Sequence, residues 1–516
     1  MATLDGASAA LAGPGRPVPG PSRWNPRAWH AFLLRVEQFD WAFDRYGDVF
    51  TLWTPGVGRV AVLRDAEMIA AALAAEPGLA SFNARPTAVL WGPRSVFTQE
   101  GAEHQRLRKL MLPGLGVKAI RRHRADVAAV AGAMVDAFPA PGTPFALLPR
   151  VQDAVLRAML RMLFSLDDQA MRAWTPPVAA LMRVGASEQT TVRFALRRAG
   201  AMRVWPAFYR ARARCGGLVR QEIARRRREQ CGDDILGTLM RARTPEGAGL
   251  TDAALVDQAI SFMFAGQITS SLGLAWAVER LVRNPRALDR LTDEAVAGES
   301  DAYATAVASE AMRQRPPTGV IPLGTVREPL SLGGYRIEAG TGLVVAPRPL
   351  HHNPRYFTDP HVFRPERFLG DRLVRHSWMP FGAGARLCVG RHLALLQITT
   401  FLQVLARRVA LRAVETRDEP IRRIVFSLHP GNGCLVTAEP RGPAGRLPPK
   451  PGEHPEPREH PGPREHPGAG EHPGAPPDGS CGRASPGGAP RKCSRPDSRP
   501  DAQTDSRTDG RGGESA

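Results

Sequence analysis

From Thr251 to Arg283 the chain runs 33 residues without a proline, although proline occurs 48 times in the sequence. Apolar residues keep a helical spacing throughout, and Thr251 is a side chain suited to opening a helix by accepting from first-turn N–H groups. A helix this long exceeds most globular ones, and much of it is apolar on every face. It must therefore run buried through the middle of the molecule, with other elements wrapped around it. It does not read as a membrane span, because its most apolar part, FMFAGQITSSLGLAWAV, contains Gln267, Thr269, Ser270 and Ser271. Other alanine-, leucine- and arginine-rich stretches repeat the helical spacing, whereas β-rich runs are short. VFTLWTPGVGRVAVL reads as a hairpin around a Pro-Gly-Val-Gly turn, and LSLGGYRIEAGTGLVVA as another. The expected fold class is mainly α with small β-sheets, an α+β protein built on a long central helix.

Composition breaks near residue 440. Residues 441–516 hold 16 prolines and 14 glycines, no Phe, Trp or Tyr, and Leu447 as the one large aliphatic side chain. Such a segment cannot bury enough apolar area to offset its chain entropy, so it is expected to be disordered. Within it EHP recurs from positions 453, 459, 465 and 471. Four histidines in that setting read as a slipped low-complexity repeat before they read as a metal site. Residues 1–22 are expected to form a flexible N-terminal segment, which leaves 23–440 as the folded domain.

The net charge of +19 is almost wholly arginine, with Lys109, Lys118, Lys450 and Lys492 the only lysines. The tail carries 12 basic and 11 acidic residues, so nearly all of the excess lies before it. Arginine this dominant fits the codon habit of a GC-rich genome, and no nucleic-acid partner is expected; the functional use of the charge is a basic face for an acidic protein. The opening MATLDGASAALAGPGRPVPG lacks the basic start and apolar core of a secretory signal. No run is suited to cross a membrane. Six cysteines occur without a CxxC pair. A reducing, cytoplasmic location is expected.

One of those cysteines, Cys388, sits in the glycine-rich stretch FGAGARLCVG, directly before an apolar helical pattern. An inert thiol, a nucleophile and a metal ligand are all open readings of a lone cysteine. Ala394, Ile398, Phe401, Leu402, Leu405 and Val409 share one face of the following helix, so Cys388 precedes a helix N-terminus, where the dipole favours a negative sulfur. Gly382, Gly384 and Gly390 remove side chains where a bulky group or tight turn needs space. Arg386 can meet a carboxylate. No cysteine or histidine lies near at zinc-finger spacing, which disfavours zinc. A thiolate beside a flat, carboxylate-bearing group suggests haem iron with a sulfur axial ligand.

The pattern F-G-x-G-x-R-x-C-x-G, matched by Phe381, Gly382, Gly384, Arg386, Cys388 and Gly390, resembles the haem-thiolate loop of the cytochrome P450 family. Further stretches follow in the family's order. EAMR supplies Glu310 and Arg313, similar to its E-x-x-R, and PERF supplies Arg367; the resemblance implies a buried structural network of these three. EHQRLRKL places His104 and Arg108 on one helix face, similar to the family's propionate-gripping pair. The resemblance covers about residues 23–440 and implies haem b, iron protoporphyrin IX. Cys388 is then the metal ligand. Phe381, Gly382, Arg386, His104 and Arg108 are the other cofactor-binding residues, and Gly266 and Thr269 are catalytic.

The long helix departs from the family pattern. In AGQITS, Gly266 and Thr269 match, but Ile268 stands where an acid is usual. That acid feeds protons during oxygen activation, and isoleucine cannot. Thr269 and water are expected to suffice, with Gln267 or Ser270 holding water in a local kink. Gly324 occupies a place where relatives often put a propionate-binding arginine. By resemblance, the chain is a monooxygenase inserting one atom of O2 into an apolar small molecule: a terpenoid, fatty acyl chain or aromatic metabolite. Electrons come from a ferredoxin or flavodoxin with its reductase. The substrate pocket is expected to draw on Phe262 to Thr269, Gly319 to Leu323 and Leu428 to Gly433. Two alternatives stay open: a haem-thiolate enzyme that uses peroxide or catalyses a rearrangement, which Ile268 keeps alive, and a non-catalytic haem sensor or carrier.

Overall fold

The structure is a computed structural model that describes residues 15–442, apart from 24, 29–38, 55–57, 76–77, 81–83, 188–189, 191–192, 194–204, 230–231, 371–372 and 425–426. Most of the expected N-terminal segment, and the tail with its EHP repeats, lie outside the described residues. Nine helices are labelled here: α1 Gly101–Leu115, α2 Arg124–Asp136, α3 Leu147–Phe164, α4 Asp168–Gly185, α5 Pro206–Arg228, α6 Asp252–Val282, α7 Pro285–Ala297, α8 Ala302–Gln314 and α9 Arg391–Arg408.

The proline-free run forms α6, 31 residues long, and the Thr251 hydroxyl accepts from Ala254 N–H at 3.2 Å. Helices α3, α5, α8 and α9 all pack on it. From Ala254 to Leu281 every residue is buried except Ala265, Gly266 and Thr269. Each large apolar side chain so buried contributes roughly 1.5–3 kcal/mol, which explains why nearly every face is apolar. Trp276 is fully buried, and its indole N–H donates to the Leu428 carbonyl at 2.8 Å. The helix is α-helical from end to end, with no 3-10 or π turn at Ala265 to Ser270.

Strands β1 Val49–Thr54, β2 Gly58–Leu63, β3 Leu79–Ala80, β4 Ile321–Val326 and β5 Gly342–Val345 form one sheet in the order β1-β2-β5-β4-β3. The first expected hairpin is the antiparallel β1–β2 pair, with Val49 opposite Leu63. The second is only half right. Leu330–Leu332 turns back on Tyr335–Ile337, but β5 leaves to join β2 and β4. Gly324 has a local reason to be glycine: a Cβ there would lie 2.7 Å from Leu79 Cβ and 3.0 Å from the Ala80 carbonyl. The close approach of β3 to β4 leaves no space for an arginine at that position.

Glu310, Arg313 and Arg367 come together in the core, 0%, 0% and 4% exposed. Glu310 receives Arg313 Nε at 2.7 Å and Nη2 at 2.8 Å, Arg367 Nε at 3.2 Å and the Arg364 N–H at 2.9 Å. Arg313 Nη1 donates to the His351 carbonyl, and the His351 ring accepts from Met379 N–H at 2.9 Å. Trp378 donates to the Ser309 carbonyl of α8. The network thus reaches the backbone two residues before Phe381. His351 was not identifiable from the sequence, because its role is to bridge two distant backbone segments.

Candidate functional site

Residues 381–390 form a tight turn that ends at α9. Gly382 and Gly384 adopt φ of +71° and +64°, a region open to glycine and costly for other residues. The Cys388 N–H closes the turn on the Phe381 carbonyl at 2.9 Å. Gly390 caps α9, and a Cβ there would lie 4.0 Å from Cys388 Sγ. The Cys388 side chain is accessible, yet it lies so deep that burial pushes its thiol pKa up, against the opposing pull of the Gly390 N–H, Arg108 and Arg391. Burial is the largest of these influences on the thiol. The residue is thus exposed by area although the atoms packed around its sulfur are dense.

The basic residues converge on this turn. Arg108 Nη1 of α1 donates to the Leu387 carbonyl at 2.7 Å. Arg386 donates to the carbonyls of Val96, at 3.2 Å, and Gln99, at 2.7 Å. His104 is buried, and its pKa falls to about 4 through burial and then the charges of Arg386 and Arg108. The carbonyl partners of Arg386 carry no sequence signal. They are placed by α6, where Gln258 accepts from Val96 N–H and Ser261 Oγ lies 2.8 Å from both the Trp91 carbonyl and Ser95 Oγ.

On α6 the three accessible positions, Ala265, Gly266 and Thr269, share one face at i, i+1 and i+4. Thr269 Oγ1 donates back to the Ala265 carbonyl at 2.8 Å, leaving its lone pairs toward the open face. A Cβ on Gly266 would meet Met159 Cε at 2.8 Å, so a larger residue here would have to displace the end of the Met159 side chain of α3. Ile268 is buried off this face. Gln267 does not hold water at the opening: its Nε2 donates to the Gln152 carbonyl of α3. Ser270 is also buried away from the opening and has no partner among the described residues. The residues just before the other expected pocket segments meet, with Leu428 N–H donating to the Pro317 carbonyl and Thr318 bridging Ser427. Trp91 stacks on Phe97 at 4.6 Å and meets Phe264 edge-on at 5.5 Å beside the open stretch. A surface groove of about 610 Å³ lined by Met134, Arg150, Asp153 and Arg157 shares no residue with this region.

Buried neutral histidines couple the fold to pH. His104 and His429 have pKa values lowered to about 4, and His351 to about 3, in each case chiefly by burial. Unfolded histidine titrates near ~6.5, so below that the unfolded chain binds protons the folded one refuses. Stability is full above pH ~6.5 and falls toward pH ~4, at up to about 1.4 kcal/mol per pH unit for each histidine. Denaturant midpoints measured across that window should decline steadily. A level profile would show that these rings are not held neutral.

A family model for cytochrome P450 matches residues 19–435. The chain belongs to the cytochrome P450 family. Cytochrome P450 137 of Mycobacterium tuberculosis is 36% identical over 402 residues, covering 77% of this chain and 84% of that protein. Cyclooctat-9-en-7-ol 5-monooxygenase of Streptomyces melanosporofaciens is 31% identical over 342 residues, 62% of this chain and 73% of that one. The heme domain of cytochrome P450DA superposes with a TM-score of 0.73 at 21% identity, covering 85% of this chain and 99% of that one, and shares the fold. This P450 is accordingly a haem-thiolate monooxygenase, an oxidoreductase of mixed α+β fold whose cofactor is haem b. The residues present fit that cofactor: a lone accessible sulfur at the end of a glycine turn, with two arginines and a histidine around it. No described helix is long and apolar enough to cross a membrane.

Proposed function

We propose that Cys388 Sγ holds the haem iron, that Arg108, Arg386 and His104 hold its propionates, and that the Ala265–Gly266–Thr269 face of α6 forms the opposite wall, where O2 and an apolar substrate meet. The observation that carries this reading is the accessibility of a sulfur so deep that burial raises its pKa. Phe381 and Gly382 shape the turn around that sulfur. Haem, when bound, supplies reductive activation of O2 and delivery of one oxygen atom to the substrate. Gly266 lies on this wall, and its missing Cβ leaves room for Met159 of α3. Thr269 holds water and hands on protons by turning its hydroxyl from the Ala265 carbonyl to the open face. Ile268, buried to one side, leaves that hydroxyl as the proton-handling group of the wall.

Trp91, Phe97 and Phe264 give an aromatic flank suited to an apolar ligand. Among the substrate classes a terpenoid is favoured, since a relative at 31% identity acts on cyclooctat-9-en-7-ol. Electrons arrive singly from a ferredoxin or flavodoxin with its reductase. Turnover with such partners, scored as oxygenated product per NADPH consumed, tests the reading. Thr269→Ala is expected to lower that ratio roughly tenfold or more, and Thr269→Ser to restore most of it. Ile268 favours one rival, peroxide-driven chemistry. It prevails if peroxide alone gives product and reductase partners add nothing.

A further inference from the structure

Gly185, the last residue of α4, stands out only in three dimensions. It is buried, and a Cβ built on it would lie 2.3 Å from Phe264 Cε2, 2.8 Å from Phe264 Cζ and 3.3 Å from Phe208 Cε2. Real Cβ atoms do not approach carbon that closely, and the atoms met here belong to rigid rings. The Phe264 ring therefore occupies the space that any side chain at position 185 would claim. Its other neighbours are fixed. Phe208 of α5 is fully buried and stacks on Trp205 at 4.6 Å. Trp91 meets Phe264 edge-on at 5.5 Å, and the Trp91 carbonyl lies 2.8 Å from Ser261 Oγ, one turn before Phe264 on α6. Gly92, the next residue, is pressed on Asp257 of α6, where a Cβ would come within 2.3 Å of the carboxyl. Trp91 is thus tied to α6 and does not give way. Phe264 itself is 6% exposed and directly precedes Ala265, the first residue of the open face.

We propose that Gly185 is a specificity-determining positioning residue: having no side chain, it lets Phe264 withdraw between α4 and α5, and so keeps the space beside Ala265 wide enough for a broad, polycyclic ligand. The proposal rests on the Ala265–Gly266–Thr269 face being the substrate wall. A ring driven from its slot by a side chain at position 185 meets Phe208 and Trp91 on two sides and moves toward Ala265 instead. A pocket narrowed there rejects a broad ligand and still passes a narrow chain, because single methylenes decide fit in an apolar pocket. Gly185 is covered by Phe264 and Phe208, so its influence on a ligand passes through the Phe264 ring.

The test uses the haem-loaded full chain and iron-ligating probes that share an imidazole head: imidazole itself, 1-dodecylimidazole with a narrow chain, and clotrimazole with a broad triaryl group. Titrations followed by the Soret shift give a Kd for each. The wild type is expected to bind all of them. G185A should lose clotrimazole affinity roughly tenfold to hundredfold and hold the other probes within about threefold. Adding F264A, as G185A/F264A, should bring clotrimazole back to within about threefold of the wild type, a coupling that a merely structural glycine does not show. If G185A does not retain haem, F264W, whose larger ring needs more of the same slot, should give the same split between probes. The proposal is overturned if the wild type refuses clotrimazole, if G185A weakens all probes alike or none, or if removal of the Phe264 ring brings no recovery. A265F tests the wall separately and should weaken every probe, imidazole included. If imidazole binds A265F as it binds the wild type, the wall lies elsewhere and the proposal falls with it. If A265F blocks imidazole while G185A changes nothing, the wall stands and the role of Gly185 alone is overturned.

Discussion

Cys388→Ala is expected to abolish the thiolate-type absorption band of the reduced, carbon-monoxide-bound protein. Among the described residues no other cysteine can take its place: Cys215 and Cys434 are the remaining free thiols there, and both are sealed in the core. Burial pushes the Cys215 thiol up to about 12 and Cys434 well above its ordinary value, so neither is poised as a ligand. The apoprotein should lose little stability, ~1 kcal/mol or less, because the residue is exposed and the substitution removes a single sulfur atom. The two readouts separate a ligand from a structural thiol. Survival of the band in the alanine variant would exclude Cys388 as the axial group. Loss of the band together with gross unfolding would mark the residue as part of the core instead.

Glu310→Ala should be the most destabilising single change outside that turn. It would leave Arg313 and Arg367 buried with no carboxylate, since both now bond to Glu310. Burial already lowers the pKa of Arg367, with Glu310 pulling it back up, which shows how much that guanidinium depends on its partner. Breaking a buried pair by removing one side costs about 3–5 kcal/mol, against about 0.3–0.5 kcal/mol for a helical surface pair at the same spacing. Denaturant unfolding measures that difference directly. Haem content should fall as well, because Arg313 bonds the His351 carbonyl and His351 holds Met379 just ahead of Phe381. A loss near the surface-pair value would mean that solvent reaches the network and that the turn is held by other contacts.

The parts legible in the sequence are those written in local chemistry. The proline-free apolar run and its threonine cap specify α6, because capping and periodicity act within a few residues. The spacing of Phe381, Gly382, Gly384, Arg386 and Cys388 is legible because two positive-φ glycines and one sulfur must fall at set intervals in a turn. Gln267 shows the limit. A polar side chain beside Thr269 reads as a water-holder, yet it serves the Gln152 carbonyl, because helix rotation aims it at α3. Gly324 reads as a lost arginine, but the neighbouring strand has already taken the space an arginine would need.

By itself, then, the order of residues determined that a long buried helix and a cysteine turn must exist. Only the tertiary structure decided which face of α6 is open, which carbonyls Arg386 holds, and that burial is the largest influence on the Cys388 thiol. The reason is physical. Turns, caps and periodicity are settled by neighbours along the chain, whereas accessibility and desolvation are sums over atoms that the fold alone brings together.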